Sequence, residues 1–249
     1  MTIKDLKGFT LIELLITMCI ASIAMAAIYT VYHSQSRTYM TQQSVIDMQQ
    51  SIRLAMYYMV GEVQMAGYDP TENSAAGIQI ANANSIDFTM DITGGETDGI
   101  DNDNDGTIDE ADEVNFGDGV TDDANEQIRY ALTNDADGDG VADGSPCHLG
   151  RDVGGGLQTI AENIDALNFV YLDEDLNVLA TPVANPADIR SVQITIVARS
   201  GSDIAVLTYK HTDNSSYTNQ QADEILGPQG DNFRRNILTS MVICRNLGL

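Results

Sequence analysis

Residues 8–36 read GFTLIELLITMCIASIAMAAIYTVYHSQS, and this stretch decides how the 249-residue chain is built. From Leu14 to Ser36 there are 23 residues without Asp, Glu, Lys or Arg, enough for a helix to span a bilayer. Lys4 and Lys7 precede the run, and such a basic flank keeps an N-terminus in the cytoplasm. We therefore expect a transmembrane helix over about 9–32, with the rest of the chain outside the inner membrane.

Three interpretations of this segment compete. A cleaved secretory signal could use Ala24-Met25-Ala26 as its processing site, but Glu13 would then place a carboxylate inside the apolar run. A lipoprotein signal would need small residues before Cys19, where residues 16–18 read ITM. The third interpretation, a prepilin, accounts for every residue of the stretch.

Residues 8–15, GFTLIELL, closely resemble the prepilin processing site of type IV pilins and type II secretion pseudopilins. The resemblance implies that prepilin peptidase removes residues 1–8 by cutting between Gly8 and Phe9, and that Phe9 is then N-methylated. Because the apolar run follows the cut, the mature protein keeps its membrane anchor.

Glu13 is the fifth residue after this cut. A carboxylate inside a membrane costs ~2.5–3.5 kcal/mol on insertion scales, so it is a functional candidate. The resemblance implies that Glu13 meets the Phe9 amine of a neighbouring subunit during assembly. The alternative is that Glu13 only extends to the membrane interface.

A helical stripe continues past the apolar run and predicts one helix over 9–66. Apolar residues recur at spacings of three and four: Val45, Met48, Ile52, Ala55, Met59, Val63 and Ala66. Gly67 supplies a C-terminal cap and Pro70 prevents continuation. Such a helix is ~85 Å long at 1.5 Å per residue.

Residues 67–249 are predicted to form a β-rich globular domain outside the membrane. Alternating or short apolar segments predict six strands: 86–90, 128–132, 167–172, 192–198, 204–209 and 237–244. Without long helices between them, these strands indicate an antiparallel sheet. A short helical turn is expected at 161–164 and a hairpin at Gly154-Gly155-Gly156. The predicted fold class is α+β, with the long helix packed on the sheet.

Three further segments resemble PilW-type minor pilins: residues 65–70, MAGYDP; residues 160–169, IAENIDALNF; and residues 233–240, FRRNILTS. This resemblance implies the pilin fold and a structural subunit that starts type IV pilus assembly or lies near the tip. Its partners would be other minor and major pilins, prepilin peptidase and the assembly platform in the inner membrane. It would be a single-pass inner-membrane protein before assembly and lie in the pilus at the cell surface afterwards. The alternatives are a type II secretion minor pseudopilin and a calcium-dependent adhesin on a pilin anchor.

The net charge is −25, from 37 Asp and Glu against 12 Lys and Arg, which argues against nucleic-acid binding. Much of the acid lies in a predicted insertion at about 94–144. Residues 101–112 match most of an EF-hand type loop, with Glu113 one place beyond its end, and residues 135–143 match part of one. Both predict a structural calcium ion, and the alternative is solvated acid. The candidate ligands are Asp101, Asp103, Asp105, Thr107, Asp109 and Asp112 in the first loop, and Asp135, Asp137, Asp139 and Asp143 in the second.

Cys147 and Cys244 both lie in the predicted external domain, where a pair of cysteines usually bonds. A disulfide between them is slightly favoured over two free thiols. No G-x-S-x-G, H-E-x-x-H or phosphate-binding loop motif occurs in the sequence. We therefore expect no catalytic residues and no enzymatic activity.

Overall fold

Helix α1 (Leu11–Met65) opens the computed structural model and is 55 residues long. It begins after Thr10 because the Thr10 hydroxyl accepts a hydrogen bond from the Glu13 amide, and the Glu13 side chain accepts one from the Thr10 amide. Ala66 caps its other end and Gly67 follows with φ +77°, a conformation that favours glycine. The helix thus lies just inside the predicted limits of 9–66. The structure describes residues 8–102, 104–113, 116–144, 147–201 and 211–248.

Helix α1 has two parts that differ in burial. Its most apolar 18-residue window has a mean hydropathy of 2.4 and contains no buried residue. By length and composition this part can cross a membrane. The buried residues all lie in the last third of the helix: Met48, Ile52, Ala55, Met56, Met59 and Val63.

The first sheet is a five-stranded antiparallel meander in the order β1-β2-β3-β4-β5. Its strands are β1 (Ile78–Ala81), β2 (Ile86–Thr89), β3 (Gln127–Leu132), β4 (His148–Asp152) and β5 (Gln158–Glu162). The connection from β2 to β3 carries the first acidic loop, and the connection from β3 to β4 carries the second. The predicted hairpin at residues 154–156 joins β4 to β5.

The second sheet has four antiparallel strands in the order β11-β8-β6-β7. They are β6 (Ile164–Leu172), β7 (Val178–Leu179), β8 (Ser191–Arg199) and β11 (Arg235–Ile243). A small hairpin of β9 (Tyr217–Thr218) and β10 (Glu224–Leu226) packs against it. Leu226 of this hairpin is buried in a cluster with Ala166 of β6 and Val197 of β8. Strands β6 and β8 are consequently buried along almost their whole length.

The main core joins the apolar stripe of α1 to side chains of both sheets. Glu62 on α1 adds a polar tie to the five-stranded sheet, because its carboxylate pairs with Arg151 of β4 at 3.0 Å and accepts a hydrogen bond from the Tyr130 hydroxyl of β3. Burial and the Glu62 carboxylate raise the pKa of Tyr130 far above its ordinary value, so the phenol stays a donor.

The structure confirms the α+β class and the long helix on antiparallel strands, but it corrects two details. The described strands form the two sheets above and a separate two-stranded hairpin, where a single sheet was predicted. The expected helical turn at 161–164 is wrong, because Ala161 belongs to β5 and Ile164 begins β6. Between them the chain bends at Asn163, whose φ is +58°, and runs on beside β4, because the Ile164 amide donates to the Cys147 carbonyl at 3.1 Å. The strand predicted at 204–209 lies outside the described residues.

Candidate functional site

The predicted processing site lies in an exposed segment before α1. Phe9 is 88% exposed, and, apart from its chain neighbours, no described residue has an atom within 4 Å of the position that a Cβ on Gly8 would occupy. The helix starts only at Leu11, so the peptide bond between Gly8 and Phe9 is outside regular hydrogen bonding. A peptidase working at the membrane surface can therefore reach it.

Glu13 has a hydrogen-bond partner within its own chain, which the sequence analysis did not anticipate. Its Oε2 atom accepts hydrogen bonds from the Thr10 amide and the Thr10 hydroxyl, each at 2.9 Å. The Glu13 amide in turn donates to Thr10 Oγ1 at 3.3 Å. The sequence signal was present as Thr-x-x-Glu before an apolar run. Glu13 therefore orders the first turn of the helix, whatever it does in assembly.

In the first acidic loop, carboxylates bond to backbone amides of the loop itself. Asp101 accepts from the amides of Asp105 and Gly106, at 3.1 and 2.9 Å. Asp109 accepts from the Gly99 amide at 2.7 Å, and Asp105 from the Thr107 amide at 3.0 Å. Asp112 is exposed. Asp103, a predicted ligand, lies outside the described residues.

The second acidic loop gathers its carboxylates more closely. Oxygens of Asp135, Asp137 and Asp143 all lie within 4.8 Å of one another. Asp139, the fourth predicted ligand, accepts the Val141 amide at 2.7 Å instead. Asp135 is fixed by the amides of Gly138 and Gly140 at 2.8 and 3.0 Å. Three of the four predicted oxygens of this loop are thus placed to share one cation.

Two buried glutamates organise the insertion, and neither was among the predicted ligands. Glu113 accepts hydrogen bonds from the Asn102 amide and, at 3.1 Å, from the Glu110 amide. Glu126 accepts from the amides of Ile92 and Thr93, both at 2.9 Å. Each carboxylate replaces the ladder bonds that an irregular backbone lacks. Hydrogen-bonded burial of this kind leaves no short-range signature in the sequence.

The disulfide between Cys147 and Cys244 is contradicted by the structure. Both side chains are buried free thiols. The Cys147 carbonyl accepts from the Ile164 amide at the start of β6, whereas the Cys244 amide bonds to Arg190, beside the end of that strand. The length of β6 separates them, ~26 Å at 3.3 Å per residue, far beyond the reach of a disulfide. Burial raises the pKa of the Cys244 thiol to about 12, so both cysteines act as small core residues.

The N-terminal residues match a known family model. The prokaryotic N-terminal methylation motif matches residues 4–29, which confirms the prepilin-type N-terminus predicted from residues 8–15. No curated protein sequence matches the chain. Among solved structures, the chain is similar to a type IV-like pilin from Thermus thermophilus, with 12% sequence identity and a TM-score of 0.42 over 81% of this chain and 98% of that one.

Proposed function

We propose that this chain, a type IV pilin-like protein by its N-terminal motif, is a minor pilin of the PilW type. It would be stored in the inner membrane by α1 and would then start pilus assembly or lie near the pilus tip. The proposal rests on the methylation motif together with a helix whose most apolar part has no buried residue. Such a surface is stable only in lipid or among other helices.

In the proposed mechanism, the apolar surface of α1 passes from contact with lipid to contact with the helices of other pilins. In the membrane, lipid covers the first part of α1; in the filament, the corresponding helices of other minor and major pilins would cover it. Cleavage by prepilin peptidase frees the Phe9 amine, and Glu13 of the neighbouring subunit would meet that charge. The role is structural, so no turnover is expected.

Processing is tested first by mass spectrometry of the mature protein from cells with active prepilin peptidase. We expect a chain that begins with N-methylated Phe9. A mature chain that begins at Ala27, or one that retains Met1, would overturn the proposal.

Assembly is tested by comparing Glu13→Ala with Thr10→Val. Both substitutions remove the hydrogen bond between the two side chains, but only Glu13→Ala also removes the negative charge and the bond from the Thr10 amide. If Glu13 meets a neighbour's amine, Glu13→Ala should be processed and inserted yet scarce in sheared filaments, whereas Thr10→Val should incorporate like the parent. Equal incorporation defects in both variants would mean that Glu13 acts only as a helix cap.

The alternatives are separated by deletion of the gene. A minor pilin is expected to be needed for filaments, a type II secretion pseudopilin for protein export, and an adhesin on a pilin anchor only for attachment. Loss of export with normal pili would therefore favour the pseudopilin. Loss of attachment with normal pili and export would favour the adhesin.

We also propose that the second acidic loop binds a structural calcium ion through Asp135, Asp137 and Asp143. The supporting observation is the close approach of their oxygens, which suits an ion with oxygen ligands at 2.3–2.6 Å. The full chain in detergent should melt at a higher temperature in millimolar calcium than in chelator, and Asp137→Asn with Asp143→Asn should reduce the difference. No reduction would overturn this proposal.

A further inference from the structure

Strand β11 forms one edge of the four-stranded sheet, and among the described residues no strand pairs with its outer side. Antiparallel strands alternate between residues that bond to the neighbouring strand and residues that do not. The Cys244 amide donates to the Arg190 carbonyl at 2.9 Å, so the even-numbered residues of β11 bond to β8. The amides and carbonyls of the alternate residues therefore point outward: Ile237, Thr239, Met241 and Ile243.

This edge lacks the features that usually protect the edge of a sheet from further pairing. Natural edge strands are commonly very short or carry Pro or Lys. Strand β7, the opposite edge of the same sheet, has 2 residues and is soon followed by Pro182 and Pro186. Strand β11 has 9 residues and contains neither Pro nor Lys, and Thr239, Met241 and Ile243 are exposed. It thus presents an open template for another strand.

A cavity of about 600 Å³ lies between α1 and Leu238 of β11. Its described walls come only from these two elements, so it lies on the side of β11 away from β8. Met56 and Tyr57 of α1 line it, and Tyr57 is 76% exposed. Successive side chains of a strand point to opposite faces. A strand added to β11 would therefore place alternate side chains in this cavity and the others beside Met241 and Ile243.

Unpaired arginines surround the same edge. The exposed basic side chains of the described residues are Arg53, Arg129, Arg234 and Arg245. Arg129 pairs with Asp87, and the other three have no ion-pair partner among the described residues. Arg53 lines the cavity, Arg234 directly precedes β11, and Arg245 lies just beyond its end. In a chain with a net charge of −25, the unpaired exposed positive charge is gathered at this edge.

The position of these charges argues against a second copy of the chain as the added strand. If two β11 strands paired in antiparallel orientation, Arg234 and Arg235 of one copy would lie near Arg245 of the other. Like charges opposite each other destabilise a strand pair. A strand with acidic residues at its ends is instead complementary to the edge.

We propose that the outer edge of β11 binds an extended segment of another protein, which adds a fifth strand to this sheet. The outward amides and carbonyls of β11 hold its backbone, and the cavity under α1 receives apolar side chains at alternate positions. Arg53, Arg234 and Arg245 select Asp or Glu at its ends. The proposal goes beyond the role of α1 in assembly, because it assigns a binding surface to the globular domain.

The test measures binding of a synthetic peptide to the full chain, purified in detergent, at physiological ionic strength. The probe is a dye-labelled peptide of sequence EEVTVTVTVEE, which reads the same in both directions and so can pair in either orientation. The comparison peptide carries lysine in place of each glutamate. By fluorescence anisotropy, we expect the acidic peptide to bind about tenfold more tightly than the lysine peptide. Diffuse attraction by the net charge of −25 would give the opposite preference.

Two pairs of variants locate the binding on β11. Thr239→Pro removes an outward amide without removing a bond to β8, whereas Thr239→Val keeps that amide. We expect Thr239→Pro to weaken binding about tenfold and Thr239→Val to bind like the parent, with similar melting temperatures for both. Arg234→Gln with Arg245→Gln should weaken binding of the acidic peptide only, and Arg129→Gln, an exposed change elsewhere, should leave it unchanged.

The proposal is wrong if the parent prefers the lysine peptide or if Thr239→Pro binds as tightly as Thr239→Val. Self-association of the parent that Thr239→Pro abolishes would show that a second copy occupies the edge, and would also overturn it. If Thr239→Pro does not fold, the double arginine variant decides the matter, because both side chains are exposed. Unchanged binding of the acidic peptide to that variant would contradict the proposal.

Discussion

At the scale of single residues, Arg235 of β11 pairs with three carboxylates. Its guanidinium is 2% exposed and pairs with Asp165 at 2.7 Å, Asp213 at 2.9 Å and Asp231 at 2.6 Å. Arg199 adds a second pair with Asp165 at 3.3 Å. These ion pairs join the irregular chain that precedes β11 to strands β6 and β8.

We predict that Arg235→Met lowers the free energy of unfolding by about 3–5 kcal/mol, because removing one partner leaves buried charges uncompensated. The matched control is Arg234→Met, whose side chain is exposed and whose loss should change stability by less than about 0.5 kcal/mol. Urea unfolding of both variants in the same detergent measures the difference. Similar midpoints for the two variants would contradict this account of the cluster.

At the scale of elements, the contact of α1 with the five-stranded sheet combines an apolar stripe with one polar tie. Arg151 Nε donates to both Glu62 oxygens, at 3.1 and 3.0 Å. Both side chains are about one-fifth to one-quarter exposed, at 20% and 24%. The Tyr130 hydroxyl completes the tie. We expect the contact of Glu62 with Arg151 and Tyr130 to fix the rotation of the helix about its axis, which apolar packing alone leaves less defined.

We predict that Arg151→Met costs about 1–3 kcal/mol, since it leaves Glu62 with fewer partners at a partly buried position. Amide hydrogen exchange should quicken in the buried third of α1 more than in β6 and β8. Arg53→Met, an exposed substitution on the same helix, should leave the exchange pattern unchanged. Uniform acceleration in all elements would mean that the tie supports the whole fold and not this contact.

The sequence predicted those elements whose signals are local. The 3.6-residue stripe identified six buried residues of the helix and its cap, from Met48 to Ala66, and Gly67 with Pro70 marked its end. Strands β2, β3, β6, β8 and β11 were found to within three residues, because their apolar runs are bounded by polar segments.

The features that the sequence did not predict depend on contacts between residues that are far apart in the sequence. The division into separate sheets, the bend at Asn163 and the distance between Cys147 and Cys244 follow from strand pairing, which no local pattern specifies. The acidic loops show the same limit. The spacing of Asp135, Asp137 and Asp143 predicted that their carboxylates lie together, and their oxygens are within 4.8 Å of one another, whereas the burial of Glu113 and Glu126 follows only from the fold.

At the scale of the whole molecule, the acidic residues determine how stability depends on pH. The net charge of −25 opposes compaction at neutral pH. Burial raises the pKa of Asp87, Asp91 and Asp165. For Asp213 and Asp231, burial also acts upward, but the hydrogen bonds from Arg235 and nearby backbone amides outweigh it and lower the pKa. Protonation of Asp87, Asp91 and Asp165 on acidification should therefore stabilise the fold, whereas protonation of Asp213 and Asp231 should destabilise it.

We predict that, in chelator, the melting temperature rises as the pH falls from 7 toward about 5. A raised folded-state pKa means that the folded chain takes up protons before the unfolded chain does, so stability increases until the pH reaches the unfolded Asp value near ~4. Below that value Asp213 and Asp231 lose their pairing with Arg235, and stability should fall. Calorimetric melts across pH measure the maximum.

Saturating calcium is the control for this pH profile. A calcium ion in the second acidic loop, as proposed above, would neutralise part of the same charge, so the rise between pH 7 and 5 should be smaller in calcium than in chelator. A melting temperature that falls steadily from pH 7 downward in chelator would show that repulsion among the carboxylates is not what limits stability.

The bare part of α1 also sets how far the acidic domain lies from the lipid. In the membrane-stored form proposed above, residues 33–38 continue the helix beyond the bilayer for ~9 Å at 1.5 Å per residue before Tyr39 and Met40 line a cavity together with Ile160 of β5. The Debye length at physiological ionic strength is ~8 Å. A helical spacer of about one Debye length only partly screens the domain from anionic headgroups, so part of its large negative charge still acts against the membrane that holds it.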